Sequence, residues 1–116
     1  LAYLRKRLSE NSKDSRLHSA IGLVHAALHE KDEAVQEGVL GVSLCDDAAL
    51  QPYRTLDLAS IYLSVGERDH ALEQIQRLLS IPSPLSVALL RVDPRWDLLR
   101  EDPRFEQILA GRSESP

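Results

Sequence analysis

The sequence predicts an all-α fold of repeated helical hairpins, and three observations carry that expectation. Apolar residues recur at helical spacing, as in Leu58, Ala59 and Tyr62 and again in Ala71, Leu72, Ile75, Leu78 and Leu79. One half of the chain matches the other at a fixed offset: Gly22 and Ala59, Ala34 and Ala71, and Gly38 and Ile75 each stand 37 residues apart. Aromatic residues make up only 4% of a chain that is 43% hydrophobic, so its core has to be aliphatic. At 116 residues the chain supports one domain, burying about two-thirds of its unfolded surface.

Taken in order, Leu1, Leu4 and Leu8 share one face of a short amphipathic helix, too short to be stable alone. Asn11 to Asp14 reads as a turn, with Asp14 or Ser15 capping the next helix. Arg16 to Cys45 holds the first copy of the repeated unit, with His18, Ile21, Gly22 and His25 on one helix and Ala34 and Gly38 on the next. Gly38 and Gly41 each cost that second helix roughly 1 kcal/mol against Ala. A neighbouring helix, or the insertion from Leu50 to Tyr53, is expected to fill the space they leave. Thr55 to Pro84 is the second copy, and Gly66 ends its first helix because glycine takes a left-handed cap conformation cheaply.

Beyond it, Ser83 as cap and Pro84 in the first turn predict a further helix reaching Val92. Asp93-Pro94-Arg95-Trp96 and Asp102-Pro103-Arg104-Phe105 come next, each an Asp cap with Pro at the first helical position. Trp96, Leu99, Phe105, Ile108 and Leu109 are expected to seal this end. Residues 112–116 read as a polar, disordered tail.

The second copy resembles one tetratricopeptide (TPR) repeat. The family pattern is W-x2-L-G-x2-Y, then A-x3-F, then P, spread over a helix, a tight turn and a second helix. Thr55 stands for the Trp, Leu58 and Ala59 for Leu-Gly, and Tyr62 and Ala71 keep their residues. Ile75 replaces the Phe, and Pro82 and Pro84 flank the closing Pro. The family period is about 34 residues, so the longer offset here places extra residues between Asp46 and Pro52. The resemblance implies a right-handed TPR-type solenoid over residues 1–111. Residues 1–12 form a partial repeat, 15–51 and 52–84 two full repeats, and 85–111 a degenerate capping repeat.

Leu78 to Ser83, the helix at Leu85 to Leu90 and the two Asp-Pro-Arg units are also similar to C-terminal TPR segments of large bacterial multidomain proteins. The sequence contains no Met, so Leu1 is not expected to be a natural start, and a fragment of a larger protein is expected.

By the same resemblance, the first helix of each repeat lines a concave surface. The positions so implied are Arg16, Ser19, Leu23 and Ala26 in one copy and Tyr53, Leu56, Ser60 and Leu63 in the other. The expected partner is a protein or peptide, bound as an apolar or amphipathic segment. Chaperone-binding TPR domains use Lys, Asn and Arg side chains at these places; here most of those donors are missing, so salt should matter little. Two other readings stand beside this one. The module forms a homodimer, or it is an intramolecular regulatory tail of a bacterial signalling or transcription protein.

Other classes are disfavoured by composition. The net charge of −4 argues against nucleic acid, whose phosphates call for a basic surface. Arg5, Lys6, Arg7, Lys13 and Arg16 form a basic cluster, but Glu10 and Asp14 dilute it to a solvated face. No apolar run is long enough to cross a bilayer. The single Cys45 allows no internal disulfide and suits a reducing, cytoplasmic compartment. No phosphate-binding loop, dinucleotide fingerprint, nucleophile elbow or C-x-x-C occurs, so neither an enzyme nor a cofactor is expected. His18, His25 and His29 fall on one helical face, where three imidazoles would suit zinc. Packing is the preferred role for the first two, which are equivalent to Thr55 and Tyr62. His29 is read as a helix-ending residue favoured by the dipole.

Overall fold

The computed structural model describes residues 1–81 and 85–113. Among these there is no strand, and the order is α1 (Ala2–Glu10), α2 (Ser15–Ala27), α3 (Lys31–Ser43), α4 (Gln51–Ser64), α5 (Arg68–Leu79), α6 (Val87–Val92), a 3-10 helix η1 (Pro94–Leu99) and α7 (Pro103–Ser113). No helix among the described residues is long and apolar enough to cross a membrane.

The sequence offset is also an offset in the backbone. The turn between α2 and α3 closes with Glu30 N–H on His25 O (2.9 Å) and His29 N–H on Ala26 O (3.1 Å). The turn between α4 and α5 closes with Glu67 N–H on Tyr62 O (2.8 Å) and Gly66 N–H on Leu63 O (3.2 Å), each atom 37 residues on. Both are Schellman caps, which satisfy carbonyls that a helix end leaves open. Gly66 takes φ 84° without strain, whereas His29 takes φ 61° at the matching place. A Cβ in the left-handed region clashes with its own backbone. His29→Gly is therefore expected to stabilise the chain by about 0.5–1 kcal/mol, and urea unfolding measures it. A loss of stability would mean that the His29 ring makes a contact worth more than this strain. The positive φ also takes His29 off the regular helix, one residue beyond the Leu28 cap.

Each pair, α2 with α3 and α4 with α5, forms a hairpin, and α4 packs against both α2 and α3. The junction is a knob in a hole. Ile61 is fully buried, in a cluster with Ala26 and Ala34 and against Val35 and Val65. The hole exists because Gly22 and Gly38 have no side chains there. A Cβ on Gly22 would come within 2.9 Å of Ile61 Cδ1 and 3.0 Å of the Ala34 carbonyl, and one on Gly38 within 2.9 Å of Ile61 Cδ1 and of Leu58 Cδ1. The space expected around Gly38 is thus filled by a neighbouring helix, α4, not by the insertion. Gly41 serves α2 instead, since a Cβ there would fall on the Ser19 hydroxyl.

The larger core lies at the C-terminal end. Ala59, Leu63, Ala71, Leu72 and Ile75 meet Leu90, Trp96, Leu99, Phe105 and Leu109 there, with Leu56, Tyr62 and Ile108 partly buried beside them. Asp93 accepts from Arg95 N–H (2.9 Å) and Asp102 from Arg104 N–H (2.9 Å), each before a Pro in the first turn. These are the caps expected from sequence, although the first opens a 3-10 helix. Arg104 also clamps the Asp102 side chain (2.9 Å between Nη2 and Oδ2), and that hydrogen bonding holds the Asp102 carboxyl below its usual range.

Two expectations change here. The helix after the second hairpin starts at Val87, not at Pro84, because Ser86 caps it by accepting from Leu89 N–H (3.2 Å) while Leu85 and Ser86 are non-helical. Ser83 and Pro84 themselves lie outside the described residues. The last helix runs to Ser113, two residues into the stretch read as a tail, and 114–116 lie outside the described residues.

Candidate functional site

The face implied by the repeat pattern divides on burial. Ser19, Ala26 and Leu63 are buried within the chain's own packing. Their physical reasons differ: Ser19 lies against Gly41, Ala26 lines the Ile61 hole, and Leu63 belongs to the C-terminal core. These three are closed to an outside partner. Arg16 is exposed, Leu23 is 37% and Tyr53 45% exposed, and Leu56 and Ser60 are half-buried. The groups left outward on α2 and α4, two helices in contact, are Arg16, Leu23 and Tyr53, with Leu56 and Ser60 flanking them.

Sequence reading missed a polar group beside this strip. Arg54 pairs with Asp57 at 3.7 Å, both largely buried, and the Arg95 charge on η1 lies close enough to act on Asp57. Burial pushes the Asp57 carboxyl above its usual range, against the pull of Arg54 and Arg95. The i,i+3 spacing of Arg54 and Asp57 was visible in sequence; the approach of Arg95 was not. Arg54 is largely covered and its buried Nε has no hydrogen-bond partner among the described residues, while Arg16 is the exposed cation of the implied set.

A second recess, about 370 Å³, is lined by Lys31, Asp32, Val35 and Gln36 of α3, Tyr62 of α4, and Glu67 and His70 at the start of α5. Lys31 and Glu67 form an ion pair across it, and Glu67 also meets His70 Nδ1 at 3.1 Å. The His70 ring stacks on Tyr62 with centroids 5.0 Å apart. Hydrogen bonding to Lys31, then to His70, holds the Glu67 carboxyl low, and Glu67 raises Lys31 in return. Burial, then the charges of Glu73 and Glu67, push the Tyr62 phenol up. Lys31, Glu67 and His70 pair with one another, so the recess is a laced seam between the two hairpins, with Asp32 exposed at its edge.

The three histidines do not act as a set. His18 and His25 are buried, and His29 is exposed beyond the helix. His18 Nδ1 meets Glu37 Oε2 at 2.5 Å and its Nε2 meets Ser12 O at 2.7 Å. His25 Nδ1 meets Glu30 Oε1 at 3.2 Å and its Nε2 meets Arg5 Nη2 at 2.8 Å. Among the described residues no group of three or more His, Cys, Asp or Glu side chains is placed to hold a metal ion.

Comparison with protein-family models, with curated proteins and with solved structures found no match to this chain.

Proposed function

We propose that the chain is a TPR-type interaction module, and that a partner's apolar or amphipathic segment lies along the outward strip of α2 and α4. The observation that carries this reading is the repeated backbone. Two hairpins close with the same hydrogen bonds 37 residues apart, and α4 meets both helices of the preceding hairpin. A unit of this kind cannot bury its apolar faces alone, and stacking a second unit and a cap on it completes the core. Elongation to 47 × 29 × 19 Å agrees with units added along one direction. In this reading α6, η1 and α7 are the decayed capping repeat, with Trp96, Phe105 and Leu109 buried where a further repeat would pack.

The strip sets the partner's chemistry. Leu23 and Tyr53 offer apolar area and one hydroxyl, and Arg16 a single exposed charge, worth only ~0–1 kcal/mol in an ion pair. A helix with anchors at i, i+3 and i+4 suits such a surface. The test is to immobilise the chain and titrate a panel of amphipathic helical peptides beside an acidic C-terminal peptide of the chaperone type. Binding of an amphipathic peptide is expected to persist as salt is raised. It is expected to be lost in Leu23→Glu/Tyr53→Glu at unchanged melting temperature. Preference for the acidic peptide, or binding indifferent to the two substitutions, would sink the assignment. Self-association is the alternative, and Leu89, Val92 and Leu98, all well exposed at the capped end, are the surface that favours it. Light scattering over a concentration series separates the two.

A further inference from the structure

Helix α1 is held to the hairpin behind it in an unusual way. No residue of α1 is buried; Leu4 and Leu8 are half-covered. Its long-range polar attachment runs through Arg5, whose Nη1 donates to Glu37 Oε1 (3.3 Å) and whose Nη2 lies 2.8 Å from His25 Nε2. A guanidinium has donors and no acceptor. His25 Nε2 must therefore accept, which makes His25 neutral with its proton on Nδ1, directed at Glu30. His18 faces different partners: its Nδ1 lies against the Glu37 carboxylate and its Nε2 against the Ser12 carbonyl, both acceptors.

From this geometry we propose that proton uptake by His25 undocks α1 from the α2–α3 hairpin. A second ring proton would set Nε2–H against the Arg5 guanidinium, donor against donor and cation against cation. Arg5 then withdraws, and with it the bond to Glu37. The hairpin itself stays intact, because Glu37 keeps its contact with His18 Nδ1 and Ser12 O its contact with Nε2 of the same ring, so α1 pivots about residue 12.

The other charged groups around the ring are exposed or paired, His29 among the exposed ones. On α1, Lys6, Arg7 and Glu10 are exposed. Lys13 is exposed in the turn, and Asp14 caps α2. On α3, Lys31 is paired with Glu67, and Asp32 and Glu33 are exposed. The charged residues of α4, Arg54 and Asp57, pair with each other. Glu30 and Glu37 are the carboxylates that face the two rings.

Backbone ¹⁵N relaxation of the whole chain from about pH 7.5 to about pH 5 tests this, a span in which imidazoles titrate ahead of carboxylates. The amides of α1 are expected to lose order in step with the His25 ring signals while α2 to α5 keep theirs. His25→Gln retains an acceptor for Arg5 and a donor for Glu30, so it should keep α1 docked throughout. Arg5→Ala should leave α1 loose at both ends of the range. If α1 stays ordered over the whole range in the unmodified chain, the proposal fails. It fails equally if His25→Gln releases α1 as the unmodified chain does. Should His25→Gln not fold, Arg5→Ala decides, because an α1 equally ordered with and without Arg5 removes the attachment on which the switch depends.

Discussion

Trp96→Ala should cost about 3–5 kcal/mol. The ring is 1% exposed and sits in the C-terminal core with Leu90, Leu99, Phe105 and Leu109 from the cap and Ala59, Leu63, Ala71, Leu72 and Ile75 from the second hairpin. It is the largest fully buried side chain among the described residues, and the elements it joins are weak alone. α6 and η1 have six residues each and α7 eleven, below the length at which an isolated helix holds in water. Removing the ring therefore empties a site whose walls have little other reason to stay in place. Arg95, 5.8 Å over the ring, loses its aromatic contact as well. Chemical unfolding followed by circular dichroism is the measurement, because the substitution also removes the sole Trp fluorophore. A loss of about 0.5 kcal/mol or less, the range of surface changes, would place Trp96 outside the core.

Ile61→Ala should cost about 2–5 kcal/mol, with Ile61→Val at about 0.5–1.5 kcal/mol as the graded control. Here the loss falls between units. Ile61 is the branched side chain in a cluster whose other buried members are alanines, over a floor of Gly22 and Gly38. Small residues cannot move in to close such a void. The joint between the hairpins should loosen before either hairpin does, so urea unfolding is expected to broaden as well as shift. A weakened joint lets the two hairpins unfold separately, and a transition that is no longer two-state is broader. Filling the hole from the other side is also expected to destabilise. A methyl at Gly22 meets backbone, the Ala34 carbonyl at 3.0 Å and Gly38 N at 3.1 Å, which cannot rotate away. An unchanged, sharp transition in Ile61→Ala would show that the hairpins are coupled elsewhere.

The sequence by itself determined the helical class, because apolar spacing is a local property that each segment carries. It also determined the positions of both turns, from the matched offset and from Gly66, whose cap conformation selects its residue type. Asp93 and Asp102 were readable as caps for the same reason, each with Pro after it and each bonding a backbone N–H two residues on.

The features that only the tertiary structure decided depend on groups far apart in the chain. Gly38 marked a space in the sequence without saying what fills it; Ile61 and Leu58 do, from the next hairpin. The outward strip could not be separated from the core by periodicity, since Ser19, Ala26 and Leu63 share a helical face with Leu23 and Tyr53, and only the neighbours that cover them set them apart. The two buried histidines read alike along α2. Their ring contacts are set by Arg5 on one side and Glu37 on the other, partners 20 and 19 residues away, because a ring nitrogen donates or accepts according to what faces it.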